Sequence, residues 1–490
     1  MLEAVVFICG AVVMILEIAG SRILAPHLGS SVVVWSSLIG IILGCLSLGY
    51  WWGGRLADRK PTYRALSLII FLAALFTAAV NLSKSFTLDI LQHYSGNLHL
   101  SSSLATIILF APPSTLLGMV TPYAVRLKIR HIHEAGRTVG MLYAISSMGS
   151  IFGTFLAGFV LIAFLGTTNI LFILAAVLAA TSLMVSIDGR LAKVLGALLI
   201  LTVWTVMKGY EYNLAQAGFH DIDTPYNRVF IYPSVKEKNG RALTVMATHP
   251  KAVQSAMYVD DPVELAVDYT EFYQLATHFK PDFRRLLMLG GGGYSFPKFA
   301  LAHYPEVQIE VVEIDPEVTA LARRFFALSD NPRLAISHRD ARSFLNDRGK
   351  TYDVVLGDTF SSHYSIPFHL STIEAVDRIY RALVDDGVAL INVLGTIDGK
   401  TGRFLRAEYA TFKAVFPRVY LFPVADPKDS LRWQNIMLVA LKSDAEPSFE
   451  NGDPEVDRLL SHLWMAPIPK EIALLTDDYA PVDQMLPFSN

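Results

Sequence analysis

At roughly 150 residues per domain, 490 residues would make about three soluble domains, but a mean hydropathy of +0.40 with 17% charged residues is too apolar for a wholly soluble chain and excludes a disordered or collagen-like one. Lys and Arg total 41 against 44 Asp and Glu, a net charge of -3, so no electrostatic footprint invites nucleic acid. The two cysteines, Cys9 and Cys45, lie inside apolar runs and cannot build a disulfide framework or a four-ligand zinc site, and no spacing of carboxylates and histidines suggests a metal.

The apolar residues concentrate before residue 208. Seven runs, 4–24, 32–54, 65–82, 104–125, 139–164, 169–187 and 191–207, mostly reach the roughly 20 residues that cross a hydrocarbon core. They predict a multi-pass α-helical membrane domain over 1–208 with six or seven helices, whose partner is the lipid bilayer. The first run lacks a basic start and carries Glu17 and Arg22, so it does not read as a cleaved signal. Pro112 and Pro113 should kink the fourth span. Gly40 with Gly44, Gly149 with Gly153, and Gly153 with Ala157 have the spacing of close helix contacts. Glu17 is the ionisable residue deepest in a span. Leaving it charged in lipid costs roughly 3 kcal/mol or more, so it should pair with Ser21, with Arg22 or with another helix, or else line a polar site in the bundle. The run Gly53-Gly54-Arg55-Leu56-Ala57-Asp58-Arg59-Lys60 resembles the short basic loop of major-facilitator transporters, although the helices are too few for one. His131 and His133 fall in a basic interhelical loop and should be solvated.

Three loops are basic: Arg55, Arg59, Lys60 and Arg64; Arg126, Lys128, Arg130 and Arg137; and Arg190 with Lys193. The 83–103 stretch holds only Lys84. Lys and Arg mark cytoplasmic loops. Six crossings return the chain to the cytoplasm at Asp188. The last apolar stretch, 194–207, is 14 residues between Lys193 and Lys208, a length that suits an interfacial or re-entrant segment. The expectation is a cell-membrane protein whose soluble domain is cytoplasmic.

Beyond residue 208 the pattern changes to a soluble one. Short β-rich stretches at 228–232, 243–247 and 256–259 predict a small β domain over 209–262. Strands at 285–289, 308–314, 334–337, 352–358, 388–394, 419–423 and 436–441 alternate with amphipathic helices until the last two, which should pair as a hairpin. This predicts an α/β class I methyltransferase-like (Rossmann-type) domain over 263–490.

Four successive strand ends carry groups that suit a ligand. The first runs into Gly290-Gly291-Gly292-Gly293, where glycines admit close backbone approach and the next helix offers free amides. The second ends in Glu313-Ile314-Asp315, about 20 residues on, where an acid can take both ribose hydroxyls. The third ends in Ser337-His338-Arg339-Asp340, whose carboxylate can accept from an adenine amino group. The fourth ends in Gly357-Asp358-Thr359-Phe360, flanked by His363 and His369. An adenosine-containing ligand accounts for all four.

This constellation resembles the spermidine synthase family, the polyamine aminopropyltransferases, in a membrane-fused form. The resemblance implies transfer of an aminopropyl group from decarboxylated S-adenosylmethionine to an amine such as putrescine, releasing methylthioadenosine, with no permanently bound cofactor. It implies that Gly290 and Gly291 line the nucleoside pocket, that Glu313 holds the ribose, that Asp340 with Ala341 meets the adenine, and that Asp358 is the catalytic aspartate. Gln254 and Tyr269, the latter in Tyr269-Thr270-Glu271, match elements that face the ligands, and dimers or tetramers are common in the family. Two departures fall on amine recognition. Gly293 stands where the family's Gly-Gly-Gly-Asp-Gly-Gly loop has its aspartate, and Ser361 stands where a second acid helps bind the acceptor. Asp315, Glu271 or the tail Thr476-Asp477-Asp478-Tyr479 are candidate substitutes. Because a sulfonium is already a good leaving group, Asp358 has only to orient a neutral amine and accept its proton. Tyr269 and Tyr364 have plain packing readings beside that site. The alternatives are an S-adenosylmethionine-dependent methyltransferase and a nucleoside- or polyamine-binding regulator of a transport-like bundle.

Overall fold

The computed structural model describes residues 1–94, 97–129, 131–236, 239–248, 253–347, 349–359, 367–470 and 474–485. The chain divides into two compact units, Met1–Arg228 and Val229–Asn490.

The first unit holds seven helices long and apolar enough to cross a membrane: α1 (Leu2–Leu28), α2 (Val32–Arg59), α3 (Tyr63–Tyr94), α4 (Leu98–Lys128), α5 (Ala135–Phe164), α6 (Thr167–Val185) and α7 (Arg190–Gln216). Most exceed the predicted runs because polar residues continue the helical hydrogen bonding past the apolar core. The 53–59 stretch taken for a basic loop is the end of α2, and α4 stays helical through Pro112, Pro113 and Pro122. Its last turns are tied to the turn after α2, where Tyr123 Oη donates to Lys60 O. Helix α5 contains a π-helical turn, Ala157–Leu161.

The predicted glycine contacts divide. A Cβ on Gly149 would stand 2.1 Å from Phe7 O and one on Gly153 2.4 Å from Ala11 O, so both seat α5 on α1. Gly40 and Gly44 face open space instead, because the buried stripe of α2 runs through Leu38, Ile42, Cys45, Leu46, Gly49 and Gly53. It is Gly49 and Gly53 that α4 meets closely, at Thr115, Gly118 and Met119.

The last helix is also longer than its apolar run suggests. At 27 residues α7 rises about 40 Å. Near one end Lys193 Nζ donates to Ser186 O at 2.6 Å and to Ser67 Oγ; further along, Trp204 Nε1 donates to Asn169 Oδ1 at 3.4 Å. Helix α7 therefore runs antiparallel to α6. Strand β1 (His220–Asp223) follows, and Asp223 Oδ2 accepts from Thr167 N at 2.7 Å.

In the second unit β2 (Arg228–Val235), β3 (Ala242–Ala247) and β4 (Ser255–Tyr258) pair antiparallel in sequence order. Short helices α8 (Asp268–Glu271) and α9 (Leu275–Phe279) lead into a seven-stranded sheet. Its strands are β5 (Arg285–Leu289), β6 (Gln308–Glu313), β7 (Leu334–His338), β8 (Tyr352–Gly357), β9 (Leu383–Gly395), β10 (Arg418–Pro423) and β11 (Gln434–Leu441), in the order β10-β11-β9-β8-β5-β6-β7. Strands β5 to β9 are parallel, while β11 runs antiparallel to both β9 and β10, the predicted hairpin. Helices α10 (Ser295–His303), α11 (Pro316–Phe325), α12 (Ala341–Leu345), α13 (Ile373–Ala382) and α14 (Arg403–Val415) connect the strands, and α15 (Pro454–Leu460) follows the sheet. Leu286 to Leu289 and Val354 to Gly357 are buried on both faces, which is why these strands read as unbroken apolar runs. Strand order reverses between β5 and β8, so the crevice beyond their carboxyl ends is where a ligand of such a sheet sits.

Candidate functional site

The glycine turn leaves β5 at that switch point. Gly290 has φ +92°, and a Cβ there would stand 2.2 Å from Asp358 O, so the turn presses directly on the end of β8. Its amides are held from the neighbouring strand: Glu313 Oε2 accepts from Gly291 N at 2.8 Å and Gly292 N at 3.4 Å, and Glu313 Oε1 accepts from Asp315 N at 3.0 Å. Glu313 is 8% exposed. Burial pushes its carboxyl up, against the pull of these N–H bonds. Ser255, at the start of β4, closes the turn by accepting from Gly293 N at 3.0 Å. Tyr294 follows in the left-handed region at φ 53°, its buried ring beneath Gly291 and its hydroxyl 2.7 Å from Thr319 Oγ1.

Asp358 is one residue beyond β8 and partly buried. Its Oδ2 accepts from Tyr269 Oη at 2.8 Å and its Oδ1 from Asn392 Nδ2 at 3.2 Å; Asn392 Oδ1 accepts in turn from Asn435 Nδ2 at 3.0 Å. Burial pushes the Asp358 carboxyl up to about 6, with the Tyr269 and Asn392 hydrogen bonds pulling the other way. The buried Tyr269 phenol is raised well above its ordinary value by burial and by Asp358, so it stays protonated and donates. The arrangement is a fixed carboxylate with two donors aimed at it.

Gln254, immediately before β4, contributes a group of another kind. Its buried Oε1 has no hydrogen-bond partner among the described residues, and Tyr269 Oη stands 3.3 Å from its backbone oxygen. A buried acceptor left unsatisfied calls for a donor, and a ligand hydroxyl or amine is one.

The remaining predicted residues hold other positions. Asp315 is fully buried and caps α11 by accepting from Glu317 N at 3.0 Å. Asp340 caps α12 through Ser343 N at 2.8 Å, and its Oδ2 lies 3.3 Å from His369 Nε2. Burial would raise the Asp340 carboxyl, but Ser343 and His369 together hold it below the usual range. Ala341 is buried beside it. Glu271 is paired with Arg458 at 2.6 Å, and Asp477 with Arg342 at 2.7 Å and Thr372 Oγ1 at 2.6 Å, so these two of the candidate substitutes for the missing amine-binding acids are committed elsewhere. A Cβ on Gly293 would meet Ser255 at 2.9 Å and the Phe326 ring at 3.0 Å, so this position faces the interior. Phe360, Ser361, His363 and Tyr364 lie outside the described residues.

Sequence reasoning missed Asn392, Asn435 and Ser255. Asn392 left a signal, since it is the one polar side chain in the apolar run 388–394. Ser255 and Asn435 left none, because the role of Ser255 comes from the packing of the small sheet on the glycine turn and that of Asn435 from the pairing of β11 with β9.

Residues 269–439 match the spermine/spermidine synthase domain family. A polyamine aminopropyltransferase of Vibrio vulnificus is 27% identical over 280 residues, covering 54% of this chain and 90% of that protein. Polyamine aminopropyltransferase 1 of Streptomyces coelicolor is 22% identical over 409 residues, covering 79% of this chain and 74% of its own, so the likeness extends into the helical half. An N-terminal histidine N-methyltransferase of Emericella nidulans is 31% identical over 177 residues, 34% of this chain and 30% of that protein.

Proposed function

The C-terminal half of the chain is a spermine/spermidine synthase domain of the polyamine aminopropyltransferase family, and from that premise we propose that the protein is a membrane-anchored aminopropyltransferase. It takes decarboxylated S-adenosylmethionine as donor and a small amine such as putrescine as acceptor. The observation that carries this reading is Asp358, a carboxylate fixed between Tyr269 and Asn392 at the lip of the glycine turn. The acceptor nitrogen attacks the propyl carbon attached to the sulfonium, the C–S bond breaks with its electron pair going to sulfur, and methylthioadenosine leaves as a neutral thioether. The nitrogen loses a proton to Asp358, which is ionised above about pH 6 and stabilises the ammonium as it forms. Glu313 acts on the donor by setting the glycine turn and offering its remaining lone pairs to the ribose. Asp340 and Ala341 serve the adenine, and Gln254 Oε1 accepts from a donor hydroxyl or ammonium. Membrane anchoring is supported by the seven apolar helices.

One observation favours a second reading. Because position 293 faces the interior, no side chain there can grip a propyl ammonium, and a donor keeping its carboxylate meets no acid at that point. That suits S-adenosylmethionine and methyl transfer to an amine. The purified full chain, given each donor in turn with a panel of amines, separates the two: methylthioadenosine by mass spectrometry supports aminopropyl transfer, S-adenosylhomocysteine replaces it with methyl transfer, and neither product removes both.

A further inference from the structure

We infer that Asn435 is a positioning residue for the Asp358 carboxylate: it fixes the Asn392 side-chain amide so that a donor, and never an acceptor, faces the acid. The inference deepens the aminopropyltransferase reading, on which the role of Asp358 as a base rests. Strand pairing builds the arrangement. Asn435 lies opposite Leu394 in the antiparallel β9–β11 ladder, and Asn392 is two residues before Leu394, so the two asparagines are diagonal neighbours on one face of the sheet. On the other side of β9 the parallel register sets Ile391 beside Gly357, which brings Asn392 to the level of Asp358. Asn392 is 5% exposed, so its amide has to find its partners within the protein. Its Nδ2 donates to Asp358 Oδ1 at 3.2 Å, and its Oδ1 accepts from Asn435 Nδ2 at 3.0 Å.

An ionised carboxylate only accepts, so the three side chains have one consistent order, Asn435 N–H to Asn392 O and Asn392 N–H to Asp358 O. Half a turn of an asparagine amide exchanges its donor for its acceptor. Left free, Asn392 would present its oxygen to Asp358 whenever the acid took a proton, and would stabilise the neutral form as well as the charged one. Asn435 opposes that turn, because it would set the N–H groups of the two asparagines against each other. The Asn435 donation also polarises the Asn392 amide and strengthens its bond to the carboxylate. The other groups around the acid make no such distinction. Tyr269 Oη donates to Asp358 Oδ2, but a rotating hydroxyl can also accept from the neutral acid. Tyr273 Oη donates to Gly357 O at 3.2 Å, and Glu313 on β6 repels the Asp358 charge. Locking Asn392 therefore keeps Asp358 a base at neutral pH.

The full chain in detergent is titrated by infrared difference spectroscopy, where the protonated-carboxyl band of Asp358 is the one lost in Asp358→Asn, and kcat/KM is measured over the same pH range. Asn435→Leu should move both midpoints upward by at least about half a pH unit. Asn435→Asp offers only acceptors and turns the Asn392 oxygen onto Asp358, so its midpoints should rise by about one pH unit, and kcat/KM at pH 6 should fall about fivefold relative to its plateau. In an Asn392→Leu background the chain of hydrogen bonds is already cut, so Asn435→Leu should add less than about 0.3 pH unit and Asn435→Asp should keep only the weaker effect of its charge. An infrared midpoint moved by less than about 0.3 pH unit in either single variant, or shifts as large without Asn392 as with it, overturns the proposal. If Asn435→Leu fails to fold, the isosteric Asn435→Asp carries the same comparison. Infrared midpoints that move as expected in a protein that forms no aminopropyl product sink the catalytic reading alone.

Discussion

Asp358 carries opposed influences that a titration can separate. Burial disfavours its charge while Tyr269 and Asn392 favour it, and the balance lies near 6. A base must be ionised to work, so kcat/KM should rise with pH through an inflection near 6 and level off above it. Replacing Asn392 with Leu removes one donor to the charged form and should move that inflection upward, whereas an unmoved inflection would detach Asn392 from the mechanism. Asp358→Asn should cost at least about a hundredfold in kcat, within the range of a lost general base, with donor affinity kept within about tenfold. Equal turnover in the two proteins would remove Asp358 from the chemistry. Glu313 has a different profile, because Glu313→Ala strands three amide donors as well as any ribose contact. It should weaken donor binding by about 1.5 to 3 kcal/mol and also lower the melting temperature of the domain; calorimetry showing neither would count against both roles. The acids at the strand ends were legible because the sheet's parallel order puts every such end on one edge. What could not be read was which of them would be spent internally: Asp315 as a helix cap, Glu271 and Asp477 in ion pairs with arginines far along the chain.

Helix packing obeys face, not spacing. Gly40 and Gly44 have the same four-residue interval as Gly149 and Gly153, yet only the latter pair meets another helix, because an interval does not say which way its stripe points. Gly153→Leu should therefore overpack the α1–α5 contact by about 1 to 3 kcal/mol and lower the melting temperature in detergent, while Gly44→Leu should stay within about 0.5 kcal/mol. Comparable losses in the two variants would refute the assignment of faces. Strands fared better than glycines, since all seven predicted strands of the large sheet are present and most ends agree within two residues. The exception is β9, which begins at Leu383 and not at 388, because Asp385, Asp386 and Gly387 broke the apolar pattern by which its start would have been read.

Across the whole molecule, the count of crossings decides which membrane face the chain leaves from. The cytoplasmic placement expected from sequence required 191–207 to lie at the interface, and an interfacial helix needs a polar face. Helix α7 has none over its apolar length: Leu191, Val194, Leu195, Leu198, Leu199, Leu201 and Val206 form its exposed face, and on the opposite side Ile200, with Val203 and Met207, packs against Phe172 and Ala175. Its hydrogen bonds reach Ser186 near one end of α6 and Asn169 near the other. A helix of that length, apolar on both its exposed and its packed side and antiparallel to α6 along its length, is long and apolar enough to cross a membrane, and a seventh crossing is the outcome to test. With seven crossings the turns at residues 60–62, 131–134 and 186–189 share the face of the N-terminus, and residues 217–228 emerge on the other. The positive-inside rule then predicts that this Lys- and Arg-rich face is the cytoplasmic one. Single cysteines introduced at Thr62 and at Gly218, in a chain whose Cys9 and Cys45 are replaced by Ala, should thus react with a membrane-impermeant maleimide from opposite sides, Gly218→Cys in intact cells and Thr62→Cys only after lysis. Labelling of both from one side would show that α7 does not cross and restore the six-span reading. The expected result carries a demand of its own, because a catalytic domain beyond the membrane requires its sulfonium donor to be delivered there, so intact cells should turn over externally supplied donor.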